Sequence, residues 1–314
     1  MIAVRCLVGR ALQARLANPK GSRQPIEIRA IRLVATLAIV VAASPAGIRG
    51  QDPAFASKAA PVRVDVLVTD NGVAVTGLTA ADFEVTDNGV VQQIDLIEFD
   101  KLPLNVILAL DLSASTTGER LLHLRLAARA VLGGLGSTDR AALLTFSDGI
   151  QLAHGLSADA AAVRAALDKV QPSGGTALVD GAFSALMLAG RDAGRDLVVV
   201  FSDGLDTGSI LSRERVLESA RRSDAIVYGV TAGNSGKVGF VSSLSEQTGG
   251  QSMEISSTMD LQKTFVGILD EFRRRYVLSF TPRGVSGTGW HRLQVRVKGR
   301  RAVITARQGY TGGG

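Results

Sequence analysis

One carboxylate and two hydroxyl groups follow an apolar segment in residues 105–115, which read NVILALDLSAS. The apolar run is typical of a buried strand, and it ends at Asp111, with Ser113 and Ser115 at the next alternate positions. Hard divalent cations such as Mg²⁺ prefer oxygen ligands and keep several of their waters. The spacing D-x-S-x-S therefore suits a divalent-metal site, and alone it is a pattern of low specificity.

Two later segments supply oxygen atoms of the same kind. Ser173-Gly174-Gly175-Thr176 lies in a loop before a helical pattern, and Asp203 follows the apolar strand predicted at 196–201. In an open parallel α/β sheet, ligands bind at the carboxyl ends of the strands, so residues of separate loops can meet there. We therefore expect Thr176 and Asp203 to converge with the first segment on one ion.

The elements that must position these residues alternate between strand and helix from residue 103 to residue 272. Such alternation favours a mostly parallel sheet covered on both faces, which is a doubly wound α/β fold. The predicted strands are 104–110, 140–146, a short edge strand at 149–153, 196–201, 225–230 and 251–255. The predicted helices are 118–134, 159–169, 177–190, 212–223, 238–248 and 258–274.

The order and spacing of these residues resemble the metal-ion-dependent adhesion site (MIDAS) of the von Willebrand factor type A domain. The resemblance implies a Rossmann-like α/β domain and a divalent cation, with Mg²⁺ expected and Mn²⁺ or Ca²⁺ as alternatives. It also implies a protein partner that presents an Asp or Glu side chain to the ion. The implied metal residues are Asp111, Ser113, Ser115, Thr176 and Asp203.

The flanking sequences predict short antiparallel strands. Turn signals at Asn71-Gly72 and Asp87-Asn88-Gly89 divide residues 61–100. Three further strands are predicted at 276–281, 291–297 and 302–307. We expect the two sets of strands to form a small β-sandwich-like domain into which the α/β domain is inserted.

The same flanking sequences resemble a family of exported bacterial proteins described as VWFA-related and found mainly in acidobacteria. Residues 75–94, VTGLTAADFEVTDNGVVQQI, are similar to its amino-terminal part. Residues 276–310, which begin with YVLSFTP, are similar to its carboxy-terminal part. The resemblance extends over nearly all of residues 61–310.

The amino-terminal region predicts export. Residues 33–43, LVATLAIVVAA, form an apolar run behind Arg29 and Arg32, which is typical of a secretory signal peptide and short for a membrane span. We expect a periplasmic, cell-surface or secreted protein, with retention of this segment as a membrane anchor as the alternative. The predicted parts are 1–56 (signal peptide and linker), 57–102 (N-terminal β segment), 103–274 (type A domain) and 275–314 (C-terminal β segment).

Charge and cysteine content argue against two functional classes. Residues 1–50 carry seven Arg and one Lys against one Glu, so the remaining chain has a net charge of about −1 despite a total of +6. The basic pI near 9.8 is therefore no indication of nucleic-acid binding. Cys6 is the only cysteine and lies in the leader, so thiol chemistry is excluded for the mature chain.

The sequence also lacks the local motifs of common enzymes. It contains no G-x-S-x-G elbow, no phosphate-binding G-x-x-x-x-G-K-[ST] loop and no G-x-G-x-x-G after a strand. His123, His154 and His291 are not spaced as metal ligands. We expect a binding protein and no enzyme; the alternative is a structural or assembly component of the cell envelope in which the ion only stabilises the fold.

The carboxy-terminal region is basic. Residues 270–314 contain ten Arg and Lys residues against two acids. An exposed solvated face is the simplest interpretation. A surface for an acidic polysaccharide or a membrane is the alternative.

Overall fold

The computed structural model describes residues 61–97, 102–190, 193–202, 205–232 and 239–313. These residues belong to one compact unit, residues 56–314. The predicted signal peptide and linker (1–56) and the candidate ligand Asp203 lie outside the described residues. No helix within the described ranges is both long and apolar enough to cross a bilayer.

Short strands joined by tight turns precede the α/β region. They are β1 (Val62–Asp70), β2 (Val73–Ala74), β3 (Phe83–Asp87), β4 (Val90–Gln92) and β5 (Ile94–Ile97). Asn71 and Asn88 have φ of 49° and 48°, and each is followed by a glycine that also has positive φ. This is the backbone of a type I′ hairpin turn, as the Asn-Gly pairs predict.

The central region alternates strands and helices. Its strands are β6 (Leu104–Asp111), β7 (Arg140–Phe146), β8 (Ile150–Ser157), β9 (Arg195–Ser202), β10 (Ile226–Ala232) and β11 (Ser252–Ile255). Its helices are α1 (Glu119–Gly133), α2 (Ala160–Lys169), α3 (Leu178–Leu188), α4 (Arg213–Ala220), α5 (Gly239–Thr248) and α6 (Leu261–Arg273). The predicted elements are all present, and the predicted edge strand is longer than expected because β8 continues to Ser157.

The central sheet has the order β11-β10-β9-β6-β7-β8, with β8 antiparallel to β7 and the other pairs parallel. Every residue of β6 is buried, because helices cover both faces of the sheet. Val106, Leu108 and Leu110 pack on the side of α1 and α6, and Ile107 and Ala109 pack on the side of α3. The predicted doubly wound α/β fold is confirmed.

The chain returns to antiparallel strands after α6. They are β12 (Tyr276–Phe280), β13 (Gly289–Val297), β14 (Val303–Thr305) and β15 (Gly309–Gly312). One sheet has the order β14-β1-β12-β5 with β2 beside β1, and the other has the order β15-β13-β3-β4. Strand β15 was not predicted, since its sequence GYTG has little strand character.

Strands from both ends of the chain form these two sheets. Val64 of β1 opposes Leu278 of β12, and Val85 of β3 opposes Val295 of β13. Apolar side chains of both sheets share one core, which includes Phe83, Tyr276 and Phe280. We call this pair of sheets the β unit; it is the small sandwich-like domain expected beside the α/β domain.

A polar cluster is buried within the β unit. The carboxylate of Asp87 lies 2.8 Å from Nδ1 of His291 and accepts a 2.6 Å hydrogen bond from the hydroxyl of Tyr310. The rings of His291 and Tyr310 stack with centroids 4.6 Å apart. Burial and the neighbouring Asp87 raise the pKa of the Tyr310 phenol, so the hydroxyl remains a donor at neutral pH. The cluster thus fixes β15 against β3 and β13.

The variant Tyr310→Phe is expected to lower the free energy of unfolding by about 1–3 kcal/mol, because the buried Asp87 carboxylate loses a donor. Urea denaturation measures this loss. The control Thr311→Val changes an exposed residue of the same strand and should stay within about 0.5 kcal/mol of the wild type. Equal losses in the two variants would contradict the role of the cluster.

Candidate metal centre

Asp111 lies at the end of β6 and is completely buried. Its Oδ1 accepts a 2.9 Å hydrogen bond from the backbone N–H of Ser113, and its Oδ2 accepts a 2.7 Å bond from the hydroxyl of Ser202. Because Ser202 is the last residue of β9, the two strands are joined at their carboxyl ends. The carboxylate is therefore held in one orientation beneath the edge of the sheet.

The two serines of the first loop lie side by side. Their hydroxyl groups share a hydrogen bond, with the Oγ atoms 2.9 Å apart; Ser113 is buried and Ser115 is exposed. Adjacent oxygen ligands around octahedral Mg²⁺, each at about 2.0–2.1 Å, are separated by about 2.9 Å. The spacing of these hydroxyls therefore fits two neighbouring positions around such an ion.

Backbone hydrogen bonds bring the loop of Thr176 to the same edge. Ala114 donates to the carbonyl of Gly174 at 3.0 Å, and Ser173 donates to the carbonyl of Leu112 at 2.9 Å. Thr176 itself is nearly buried, with 6% of its surface exposed. The structure therefore places Asp111, Ser113, Ser115 and Thr176 in adjacent loops, as the sequence predicts.

The loop after residue 204 encloses Thr176 from the other side. The backbone N–H of Thr176 donates to Oγ1 of Thr207 at 3.0 Å, and its carbonyl accepts from the N–H of Thr207 at 2.8 Å. This loop follows position 203 in the sequence and contacts the candidate residue Thr176. Asp203 itself lies outside the described residues, so its assignment stays a prediction.

Two acidic residues that the motif does not require connect this loop to α3. Asp206 accepts a 2.9 Å bond from the N–H of Leu178, in the first turn of the helix. Asp180 accepts 2.9 Å bonds from the N–H groups of Ile210 and Leu211. Sequence reasoning did not assign them a role, although a carboxylate near a helix N-terminus is a known signal for such a contact.

Asp148 has a contact that the sequence did not reveal. It is exposed in the turn between β7 and β8. Its carboxylate also accepts a hydrogen bond from the N–H of Gly175, and a Cβ on Gly174 would collide with it. Because β7 is the parallel neighbour of β6, this turn lies at the same edge as the candidate ligands, and Asp148 supports the loop of Thr176.

Gly174→Ala tests this contact. Gly174 has φ of +70°, where an L-residue costs roughly 1–2 kcal/mol, and the new methyl group must also displace Asp148. We expect a total loss of about 2–3 kcal/mol in the free energy of unfolding, since the bond to Gly175 is lost as well. Urea denaturation measures the loss.

The matched control is Gly89→Ala, which has φ of +85° and open space around it. It should cost only the backbone strain of roughly 1–2 kcal/mol. In an Asp148→Ala background the cost of Gly174→Ala should fall to the same value. The interpretation fails if Gly174→Ala costs no more than Gly89→Ala in the wild-type background.

The donor set at this edge fits a hard divalent cation. It combines the Asp111 carboxylate with the hydroxyls of Ser113, Ser115 and Thr176, which are ligand types that Mg²⁺ and Mn²⁺ accept. Within the described ranges there is no group of three or more His, Cys, Asp or Glu side chains placed to hold a metal ion. A site here would therefore depend on hydroxyl oxygens as well as on carboxylates.

Comparison with known proteins identifies the α/β domain. Residues 106–205 match the family profile of the von Willebrand factor type A domain. They include the D-x-S-x-S segment, the loop of Thr176 and Asp203. The chain therefore contains a von Willebrand factor type A domain, as the motif implies. No curated protein matched the sequence.

Solved structures show the same fold. The chain superimposes on proximal thread matrix protein 1 from the mussel byssus with a TM-score of 0.50 and 17% identity, covering 59% of this chain and 49% of the mussel protein. It superimposes on a von Willebrand factor type A protein from Catenulispora acidiphila with a TM-score of 0.50 and 13% identity, covering 80% of this chain and 72% of that protein. The chain thus spans about half the length of the mussel protein. At these identities the likeness shows the fold alone.

Proposed function

We propose that this chain is an exported, non-enzymatic binding protein whose type A domain holds a divalent cation and binds an acidic side chain of a protein partner. The observation that carries the proposal is the placement of Asp111, Ser113, Ser115 and Thr176 at one sheet edge, with the serine hydroxyls 2.9 Å apart. Asp203, in the profile-matched region, would complete the set.

The charge balance of these residues explains the proposed ligand. Asp111 and Asp203 supply the carboxylates, while Ser113, Ser115 and Thr176 are neutral oxygen ligands. A bound Mg²⁺ would supply a Lewis-acidic position for one further oxygen ligand at this edge. Because three of the chain's ligands are neutral hydroxyls, the ion would keep part of its positive charge. A partner's Asp or Glu carboxylate is therefore favoured at that position.

A holding role for Asp111 also argues against enzymatic chemistry. Both of its oxygens accept hydrogen bonds, from Ser113 N–H and from the Ser202 hydroxyl. A carboxylate that is buried and oriented in this way is suited to positioning ligands, whereas a nucleophile needs an oxygen directed at a substrate. The export part of the proposal depends on the apolar run at residues 33–43.

Selection from a displayed random-peptide library tests the partner chemistry. The full chain, immobilised in Mn²⁺, should enrich peptides that contain Asp or Glu, and EDTA should release them. The matched variant Thr176→Ala should not enrich them, because it lacks one hydroxyl ligand. Enriched peptides that bind equally well in EDTA would contradict the proposal. They would favour the envelope-component alternative, in which the ion only stabilises the fold.

A further inference from the structure

The C-terminal strands of the β unit carry formal charge of one sign. Residues 276–313 contain seven Arg and Lys residues and no Asp or Glu. The chain from residue 51 onward is nearly neutral, so this segment concentrates positive charge in one part of the protein. A local excess of this kind attracts anionic partners.

Three of these arginines line one groove of the β unit. The groove has a volume of about 730 Å³, and Arg296, Arg300 and Arg301 lie along it. Thr69 and Asn71, at the end of β1 and in the following turn, contribute neutral polar groups to its wall. Asp70, Ala302 and apolar side chains of β13 and β14 complete the lining. The groove therefore combines guanidinium groups, hydrogen-bonding groups and apolar surface.

The guanidinium groups of this groove make no close contact with a carboxylate within the described ranges. No ion pair or side-chain hydrogen bond forms at Arg296, Arg300 or Arg301, whereas Arg307 in the same segment pairs with Asp224 at 2.6 Å. Asp70 is the acid of the lining, and its Oδ1 accepts from Asn71 at 3.1 Å. Arg300 also interacts electrostatically with Asp82. The groove therefore keeps an excess of positive charge.

We propose that this groove binds an acidic polysaccharide, a linear chain of sugars that carry carboxylate groups. The planar guanidinium fork can bind a carboxylate with two parallel hydrogen bonds. Thr69 and Asn71 can exchange hydrogen bonds with sugar hydroxyls, and the apolar lining can cover the faces of sugar rings. The proposal concerns the β unit and does not depend on the metal centre.

The edge strand beside the groove distinguishes this ligand from a peptide that binds as an added strand. Strand β14, at the edge of its sheet, has only three residues, which offers little edge for an added peptide strand. A narrow polymer can instead follow the groove and contact several arginines at once.

Calorimetric titration of an oligogalacturonate into the full chain, in EDTA, tests the proposal. The wild type should bind, and binding should weaken as the salt concentration rises. The double variant Arg300→Glu/Arg301→Glu should bind at least about tenfold more weakly, because two charge-assisted contacts become repulsive. Unchanged thermal unfolding of this variant would show that its fold is intact.

Arg283→Glu/Arg292→Glu is the matched control, because it changes the net charge by as much as the double variant of the groove. Both arginines are exposed, belong to the same acid-free segment and do not line the groove. An equal loss of affinity in this control would overturn the groove as the site, since net charge alone would then explain binding. Tighter binding to poly-glutamate or to phosphatidylglycerol vesicles than to oligogalacturonate would also overturn the proposal. The Asp111→Ala variant should bind the polymer like the wild type, so failure here is separable from failure of the metal site.

Discussion

The Asp111→Ala variant is expected to show no binding of Mg²⁺ or Mn²⁺ in a calorimetric titration in which the wild-type chain binds both ions. Among the described residues of the candidate set, Asp111 is the one that carries a carboxylate. It also orients Ser113 through a 2.9 Å hydrogen bond. The substitution therefore removes a charged ligand and also the hydrogen bond that positions Ser113, a neutral ligand. Thr176→Ala, which removes one hydroxyl, is expected to remove binding as well.

The stability of Asp111→Ala separates a local effect from loss of the fold. Because Asp111 is completely buried, its donors Ser113 N–H and Ser202 Oγ–H lose a partner, at a cost of about 1–3 kcal/mol. We still expect a folded protein by circular dichroism, because the apolar layers around β6 are unchanged.

Asp159→Ala is a matched control for this experiment. Asp159 caps α2, where its Oδ1 accepts from the N–H groups of Ala161 and Ala162 at 3.0 Å. The variant thus loses an Asp carboxylate that accepts from two backbone donors. We expect this to cost about 1 kcal/mol of stability. The position is remote in the fold from the sheet edge. It should bind ions like the wild type. Ion binding retained by both Asp111→Ala and Thr176→Ala would refute the site.

The α/β fold was predictable because its sequence signals are strong and local. The apolar runs of β6 and β9 are long enough to be buried on both faces, and both strands are buried throughout. The Asn-Gly pairs at residues 71–72 and 88–89 specified their hairpins through the positive φ that they tolerate. Asp111, Ser113 and Ser115 followed a predicted strand, so their place at the sheet edge could be expected; Thr176 lies between α2 and α3 and reaches that edge through the backbone hydrogen bonds of its loop.

The features that were not predicted depend on contacts between distant segments. Strand β15 is short and rich in glycine; it is held by pairing with β13 and by the bond from Tyr310 to Asp87. The contact of Asp148 with Gly175 requires β7 to lie beside β6. A single sequence without a structure shows none of these neighbours.

Arg195→Ala is expected to cause the largest loss of stability, about 3–5 kcal/mol. Arg195 begins β9, and its side chain is 2% exposed. Its Nε donates to Oδ1 of Asp65 at 2.9 Å, its Nη2 donates to the carbonyl of Phe272 at 3.0 Å, and the guanidinium lies 4.5 Å from the centroid of the Phe272 ring. Because Asp65 is on β1, this pair joins the β unit to the α/β domain.

The expected loss follows from burial and not from the ion pair alone. Without the guanidinium, the Asp65 carboxylate, whose side chain is 12% exposed, loses both hydrogen bonds that it accepts from Arg195. The ion pair of Arg129 and Asp168 is also short, with 2.6 Å between Nη2 and Oδ1, but its side chains are 48% and 47% exposed. Arg129→Ala should therefore cost at most about 1 kcal/mol.

Urea denaturation of both single variants and of Arg195→Met/Asp65→Leu completes the comparison. The double variant removes both charges and fills the space with apolar atoms, so it should regain most of the stability that Arg195→Ala loses. Such recovery would mean that the pair specifies how β1 meets β9 without being needed for stability. If Arg195→Ala costs no more than Arg129→Ala, the junction between the β unit and the α/β domain must instead be stabilised by other contacts, such as the pair of Arg307 and Asp224.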